Sequence, residues 1–334
     1  MDTNDSLKFR PPVFILIMIL TLISTVYVSV MVVGPNAAVR IRHEERILSG
    51  EMEAPYQYRI LQPLIGRGLQ TLVTPFVPSR EMRHILAYAL LDYLVFAGLF
   101  FAFYVLLKRS AQTDASALLG LALLQVVIPL SVTGYDVNGD FITLFFYLLG
   151  LNLAFSGRDE YLPLVIGVAA LNREQIIFLV VFYLAYRAGH PKGMNGRALR
   201  AVLLSLAAFL IALLAVRFYF GFRVSPATPQ LHIALNTDPQ NLPHIVLFWL
   251  AQAAGFAALC ALAFKRSIRY FKLGFISLGA YAALFFLNGN LWEMAKFLPA
   301  YIILIPMGLQ ALTREYVEAS VFYGVREGQR GEVL

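Results

Sequence analysis

Cysteine and charged residues are what this sequence has least of. Its 334 residues include one cysteine, Cys260, and charged residues make up only 14% of the chain. A single cysteine excludes an intramolecular disulfide, and soluble globular domains carry about 25% charged residues. The sequence also lacks a Walker loop, a GxSxG elbow, a dinucleotide-binding glycine motif and an HExxH metal motif, so it does not indicate the chemistries that these motifs support.

Long apolar runs are abundant, since 59% of the residues are hydrophobic. The uncharged run 13–33 has the length that crosses the hydrocarbon core of a bilayer as a helix. It exceeds the apolar core of a signal peptide, so we interpret it as a retained first span. Seven further runs complete the prediction of about eight full spans: 84–107, 115–132, 141–155, 199–220, 245–264, 273–287 and 295–312.

The connections between these runs alternate in charge, which predicts their sides of the membrane. The segments 108–109, 157–158, 187–200, 265–272 and the tail 313–334 are basic and are expected in the cytoplasm. Both termini of a multi-pass inner (plasma) membrane protein are then cytoplasmic. The outer face receives 34–83, 133–140, 221–244 and 288–292. The net charge of +7 follows from this loop bias and needs no nucleic acid partner.

The segment 162–186 does not fit the alternation as one span, because it would place the basic segment 187–200 outside. Two half-membrane helices joined near LNREQ, residues 171–175, avoid the conflict. Charge at membrane depth is tolerated in a protein interior or a water-filled cavity. Arg173 and Glu174 therefore indicate an internal cavity, with a purely structural ion pair as the alternative. The predicted fold is one all-α polytopic membrane domain over 1–334.

The first outer loop contains APYQYRILQPLI, residues 54–65, in which an arginine lies between tyrosines and prolines. Its helical apolar spacing predicts an amphipathic helix in the membrane interface. Tyr56 and Tyr58 have rings suited to the headgroup level. Arg59 has two interpretations, a snorkelling anchor or an inward-facing group that holds a phosphate.

Acidic residues are sparse near the expected outer face. Asp136 and Asp140 suit either turn and helix-capping chemistry or a carboxylate pair that binds a cation or positions a hydroxyl. Glu293 and Lys296 are three residues apart and form either a surface pair or part of a site. Glu44 and Glu45 precede the amphipathic stretch.

Three short elements, in this order, resemble those of bacterial GT-C-fold membrane glycosyltransferases. They are YRILQP at 58–63, NRE at 172–174, and Glu293 with Lys296 and Pro299. The resemblance implies transfer of a sugar from a polyprenyl-phosphate donor to an acceptor at the outer face, with an acidic base in the first outer loop. Here the expected position reads GPNAAVR and has no carboxylate, which leaves Glu44 or Glu45 as its replacement.

Transfer from a phosphate donor requires a base for the incoming hydroxyl and cations for the departing phosphate. The candidate catalytic residues are Glu44, Glu45, Asp136 and Asp140. The candidate substrate-binding residues are Tyr58, Arg59, Arg173, Glu174, Glu293 and Lys296. No metal ligand set is assigned, and a divalent cation is the candidate cofactor. The partners expected are a lipid-linked sugar donor and membrane lipid. The alternatives are a transporter or lipid flippase, and a non-catalytic membrane subunit.

Overall fold

The computed structural model describes residues 11–110, 113–226 and 228–313, and all of their regular secondary structure is helical, without a strand. The predicted cytoplasmic tail from residue 314 and the ten N-terminal residues lie outside the described residues. In chain order the α-helices are α1 (Pro11–Val28), α2 (Ala37–Ser49), α3 (Leu61–Val73), α4 (Arg80–Ser110), α5 (Asp114–Ser131), α6 (Asn138–Phe155), α7 (Leu162–Ala170), α8 (Phe178–Gly189), α9 (Gly196–Phe220), α10 (Pro229–Thr237), α11 (Leu242–Trp249), α12 (Gly255–Ala263), α13 (Arg269–Asn288) and α14 (Tyr301–Thr313).

Eight helical segments of the described chain are long and apolar enough to cross a membrane, which confirms the predicted spans. Three of them combine shorter elements. A π-helical turn extends α1 to Val33, another joins α11 to α12, and a 3₁₀ segment from Met294 to Ala300 leads into α14. The remaining spans are α4, α5, α6, α9 and α13.

The predicted pair of half-membrane helices is also present. With 9 and 12 residues, α7 and α8 reach about 14 Å and 18 Å, each roughly half of a 30 Å hydrocarbon core. Asp159, before α7, accepts a hydrogen bond of 2.7 Å from the hydroxyl of Tyr183 in α8. The guanidinium of Arg187 lies 3.9 Å from the same carboxylate. The chain therefore enters and leaves this hairpin at the same end of the molecule.

The first loop forms two helices instead of one. The amphipathic helix α3 was predicted, whereas α2 was not. The inward positions of α2 follow a helical period but include the charged residues Arg40 and Glu44 beside Ile41 and Ile47, so hydrophobic periodicity gave no signal. Gly50 ends α2 in the left-handed conformation, with φ 79°.

The spans pack around α4, α6 and α14, which contain many of the largest fully buried side chains. Most of the surface of α9, α12 and α13 faces outward. The spans alternate in direction, so one end of the molecule, here called the loop end, collects α2, α3, α10, the connections 132–137 and 289–293, and the hairpin break 171–177. The opposite end, called the basic end, collects 156–161, 190–195 and 264–268.

Candidate functional site

Arg173 lies in the hairpin break and is almost fully buried. Its Nη2 donates a hydrogen bond of 2.8 Å to the backbone oxygen of Asp136. The same atom lies 3.4 Å from the carboxylate of Asp136, and Nε lies 3.1 Å from Oδ1 of Asp140. The neighbouring Asn172 fixes the break by donating to the backbone oxygen of Gly139 and to Thr143 Oγ1. The break thus inserts a guanidinium between the two carboxylates of the 132–140 region.

The capping explanation for these aspartates does not hold, because the N-cap of α6 is Val137 and α6 has no side-chain cap hydrogen bond. Asp136 and Asp140 instead serve as counter-ions of Arg173. Within the described residues, no group of three or more His, Cys, Asp and Glu side chains is arranged to hold a metal ion.

Arg59, at the centre of APYQYRILQPLI, points into the protein. Its guanidinium lies 5.1 Å from the centre of the Tyr56 ring, and its Nε lies 3.6 Å from the Glu174 carboxylate. Arg173 and Glu174 are therefore not an ion pair with each other, since each has a partner on another segment.

Tyr58 is buried away from Arg59 and does not line the cavities described below. Its hydroxyl donates to the backbone oxygen of Gly221 at 3.0 Å and accepts from the backbone nitrogen of Arg223 at 2.8 Å. The Arg217 guanidinium stacks 4.4 Å from its ring centre. Tyr58 thus attaches APYQYRILQPLI to the end of α9. Of the predicted residues in this stretch, Tyr56 and Arg59 remain available for headgroup and substrate contacts.

Glu293 and Lys296 form an ion pair at the start of the last span. Both side chains are partly buried, which favours the site interpretation over the surface pair. The backbone oxygen of Lys296 accepts a hydrogen bond of 2.7 Å from the hydroxyl of Tyr281 in α13. This contact holds the pair against the neighbouring span.

These charged residues surround one cavity at the loop end, here called the main cavity, with a volume of about 430 Å³. Its polar part contains Arg59, Arg173, Glu174, Glu293 and Lys296, and its apolar part contains Ile177, Phe178, Tyr281, Leu284 and Phe285. A polar annex of about 110 Å³ adds Asp136 and Asp140 and shares the three cations. The main cavity is within the usual size range of small-molecule sites.

A second, apolar cavity of about 450 Å³ lies between α11, α12, α13 and the last span. It is lined by Trp249, Phe264, Phe275, Ile276, Phe297 and Leu304, among others. Tyr281 lines both this apolar cavity and the main cavity. The side chain of this tyrosine thus forms part of the wall of both the polar and the apolar cavity.

Glu44 lies on the other side of Arg59, in what we call the α2 cleft. This cleft is lined by α2 residues Arg40, His43, Glu44 and Ile47, and by Tyr56, Arg59, Gln62, Pro63, Tyr135, Asp136, Asn172 and Arg173. Burial raises the pKa of Glu44 to about 7, although Arg40 opposes the shift. A carboxylate with such a pKa can exchange a proton near neutral pH. Glu45, one residue further, faces solvent and pairs with Arg80.

Arg40 is a buried residue of the cleft that no sequence motif marked. Its guanidinium donates to the Asn138 side chain at 2.7 Å, to His84 Nε2 at 3.3 Å and to the backbone oxygen of Tyr135. The Asn138 amide in turn donates to both oxygens of Asp92. Arg40 therefore links α2 to the 132–138 connection and to α4. The only available signal was the helical spacing of Arg40 and Glu44 with the apolar residues of α2.

Eight predicted site residues thus share one region, and Glu45 and Tyr58 do not. The eight are Glu44, Arg59, Asp136, Asp140, Arg173, Glu174, Glu293 and Lys296. Their geometry is what indicates the chemistry of the protein. Comparison with protein-family models, curated protein sequences and solved structures finds no match to this chain.

Proposed function

We propose that this protein is an integral membrane glycosyltransferase of the GT-C type, which moves a sugar from a polyprenyl-phosphate donor to an acceptor. The observation that carries the proposal is the convergence of three cations at a cavity that adjoins an apolar chamber between spans, with Tyr281 lining both. Such a combination suits a ligand with an anionic head and a long apolar chain.

The phosphate group is assigned to Arg59, Arg173 and Lys296. Within the described part of the chain, Arg59 has one loose ion pair, at 3.6 Å, so most of its five N–H donors remain for a ligand. Guanidinium groups suit bidentate contact with phosphate. Around the main cavity and its annex, the carboxylates of Asp136, Asp140, Glu174 and Glu293 accompany these cations. A divalent cation bound with the phosphate would offset the added negative charge.

The isoprenoid chain is assigned to the apolar cavity. Its lining is almost entirely hydrocarbon and aromatic rings, and Tyr281 places it directly beside the main cavity. An apolar chain in this chamber would leave its phosphate at the cations. The exposed Ile276, 61% accessible on α13, lies at its boundary and gives the chain a path from the bilayer.

Glu44 is assigned as the general base that takes the proton of the acceptor hydroxyl. The bond between the sugar and the lipid phosphate breaks, and the departing phosphate takes its electron pair. The position of Glu44 across Arg59 and Arg173 from the main cavity supports this role, since both arginines line the two spaces. Asp136, which lines the cleft and the annex, lies between them. The abundance of Lys and Arg at the basic end supports a plasma-membrane orientation with the loop end outside.

Lysine substitution tests the phosphate contacts, because lysine keeps the charge and loses the planar fork. Arg59→Lys and Arg173→Lys are purified in nanodiscs and assayed with a panel of polyprenyl-phosphate monosaccharides. We expect turnover to fall by about tenfold or more, and donor affinity to fall less, if the contacts strengthen as charge develops on the leaving phosphate.

Arg67→Lys is the matched control, since Arg67 is exposed on α3 and lines none of these cavities. Normal turnover in well-folded Arg59→Lys and Arg173→Lys proteins would remove both residues from the site. Binding of the lipid phosphate without any transfer would favour a flippase or a non-catalytic subunit.

A further inference from the structure

We infer that the α2 cleft is a second substrate site, which binds the acceptor as an uncharged sugar with one hydroxyl between Glu44 and Asp136. This inference rests on the proposed function and adds the chemical class of the acceptor. It also assigns His43 and Tyr135, which have no role in donor binding, as residues that determine acceptor specificity.

The interior of the cleft has the size of a single hydroxyl group. Its volume is about 20 Å³, and a site of roughly 10–15 Å³ already accommodates one water-sized group. Two buried polar atoms at the cleft, Glu44 Oε1 and His43 Nε2, make no hydrogen bond to any described residue. The Tyr88 hydroxyl lies close to the Glu44 carboxylate and interacts with it, but makes no hydrogen bond of regular geometry there. Buried polar groups are normally satisfied, so this pair indicates a ligand with hydroxyl donors.

Aromatic rings surround the mouth of the cleft. The His43 ring contacts Tyr56 at a centroid distance of 5.5 Å and Tyr135 at 5.9 Å, with both pairs nearly perpendicular. Tyr135 keeps 37% of its surface exposed. Rings of this kind combine an apolar face with a polar tip. They can cover the C–H face of a sugar ring while its hydroxyls reach the polar groups.

The charges around the cleft disfavour both ammonium and anionic acceptors. Arg40, Arg59 and Arg173 line it and repel a cation. The carboxylates of Glu44 and Asp136 repel an anion. The N–H groups of Arg40 already donate to His84, Asn138 and Tyr135 and are not directed into the cleft. Burial also lowers the pKa of His43, so its imidazole is neutral and adds no positive charge. A neutral polyhydroxyl ligand matches this balance.

Tyr56, Arg59 and Arg173 form the boundary at which the two substrate sites meet. All three line the α2 cleft on one side and the main cavity on the other. An acceptor hydroxyl in the cleft would therefore approach the donor from the side opposite the lipid chain. The hydroxyl proton goes to Glu44, the new bond forms from the hydroxyl oxygen to the sugar carbon, and the bond from that carbon to the phosphate oxygen breaks.

The test measures binding and does not require transfer. Saturation-transfer NMR on the full chain in nanodiscs is run with methyl glycosides of glucose, galactose and mannose, and with glucosamine and glucuronate as charged relatives. We expect the wild type to bind at least one neutral glycoside, and to bind the charged sugars about tenfold more weakly. His43→Ala and Tyr135→Ala should weaken neutral glycoside binding about tenfold, whereas Tyr135→Phe, which keeps the ring, should retain it.

Tyr161→Ala is the control variant, since Tyr161 is 50% exposed at the basic end. Farnesyl monophosphate binding, measured on the same samples, should be unchanged by the His43 and Tyr135 substitutions. Absence of neutral glycoside binding in the wild type, or undiminished binding in folded His43→Ala and Tyr135→Ala proteins, would overturn the inference. Absence of farnesyl monophosphate binding would instead count against the proposed function, so the two failures are distinguishable.

Discussion

Arg173 owes its position to uncharged neighbours as much as to Asp136 and Asp140. Gly139 lies against it, and a Cβ at Gly139 would be 3.0 Å from Arg173 Nε and 3.0 Å from Gln62 Oε1. These distances are too short for a relaxed contact, so both side chains would have to shift by a few tenths of an ångström. A methyl group at this position is thus the smallest change that displaces the guanidinium.

Gly139→Ala is expected to reduce transfer about tenfold or more while the protein stays folded, because a misplaced catalytic group costs rate before it costs stability. Gly134→Ala is the control, since a Cβ at Gly134 meets no described atom within 4 Å. Transfer rates and melting temperatures of both variants in detergent provide the measurement. Wild-type turnover in Gly139→Ala would show that the position of Arg173 does not matter for the reaction.

Glu44 should give activity and stability opposite dependences on pH. Burial raises its pKa from 4.5 to about 7, so the folded protein holds a proton that the unfolded chain has lost between these values. The Glu44 contribution to stability is therefore present below pH 4.5 and is lost as pH rises to about 7. A general base must be deprotonated, so transfer should increase with pH through the same region.

The comparison is between the wild type and Glu44→Gln, which cannot titrate. The melting temperature of Glu44→Gln minus that of the wild type should rise by a few degrees from pH 4.5 to 7 and then stay constant. Transfer by Glu44→Gln should be lost at every pH. A pH-independent difference in melting temperature would contradict the raised pKa. Full activity of Glu44→Gln would exclude Glu44 as the base.

Among the elements, the short helix α10 holds in place a connection that carries site residues, although little of α10 lines the cavities. Asn236 in α10 donates to the backbone oxygens of Phe286 and Gly289 and accepts from the backbone nitrogen of Leu291. Its side chain thus holds the 289–293 connection at Gly289 and Leu291. This connection leads directly to Glu293 and Lys296. The geometry of this ion pair depends on a helix far from it in sequence.

Asn236→Ala is expected to destabilise the protein by about 1–3 kcal/mol for each backbone group left buried without a partner. Donor affinity should also decrease, because Lys296 loses its fixed approach to the main cavity. Thr237→Ala on the same helix is the control, since its hydroxyl is exposed and bonds only within α10. Equal melting temperatures and donor affinities for the two variants would show that α10 has no part in the site.

At the scale of the whole molecule, the re-entrant hairpin decides on which side every later segment lies. Because α7 and α8 return the chain to the basic end, residues 156–161 and 190–195 share one side of the molecule. A single span at 162–186 would have put them on opposite sides. Whether the segments after the hairpin meet the first loop and the 132–137 connection at the loop end therefore depends on this one feature.

Cysteines introduced singly at Lys192 and Lys265 should react with a membrane-impermeant maleimide only from the cytoplasmic side. Cysteines at Glu51 and Val224 should react only from the outside. All four positions are exposed, and the native Cys260 is buried. Labelling of 192 and 265 from the same side as position 51 would contradict the hairpin. Labelling of all four with reversed sides would place transfer in the cytoplasm and overturn the outer-face proposal.

The sequence by itself determined the spans and the hairpin. A bilayer imposes a minimum length on each apolar helix, so the runs specify the eight spans directly. The hairpin followed from a conflict between the charge of 187–200 and a single span at 162–186. The helix α2 could not be predicted in this way. An amphipathic pattern has hydrophobic residues at the inward positions, and two of those positions in α2 hold the charged residues Arg40 and Glu44.

Only the tertiary structure decided which charges pair. Arg173 and Glu174 are adjacent, yet Arg173 faces Asp136 and Asp140 while Glu174 faces Arg59. Arg173 has an extended backbone, with φ −154° and ψ 136°, and consecutive side chains of an extended segment point in opposite directions. The partners come from segments far away in sequence, and their meeting depends on how the hairpin, the first loop and α6 pack together, which no local pattern encodes.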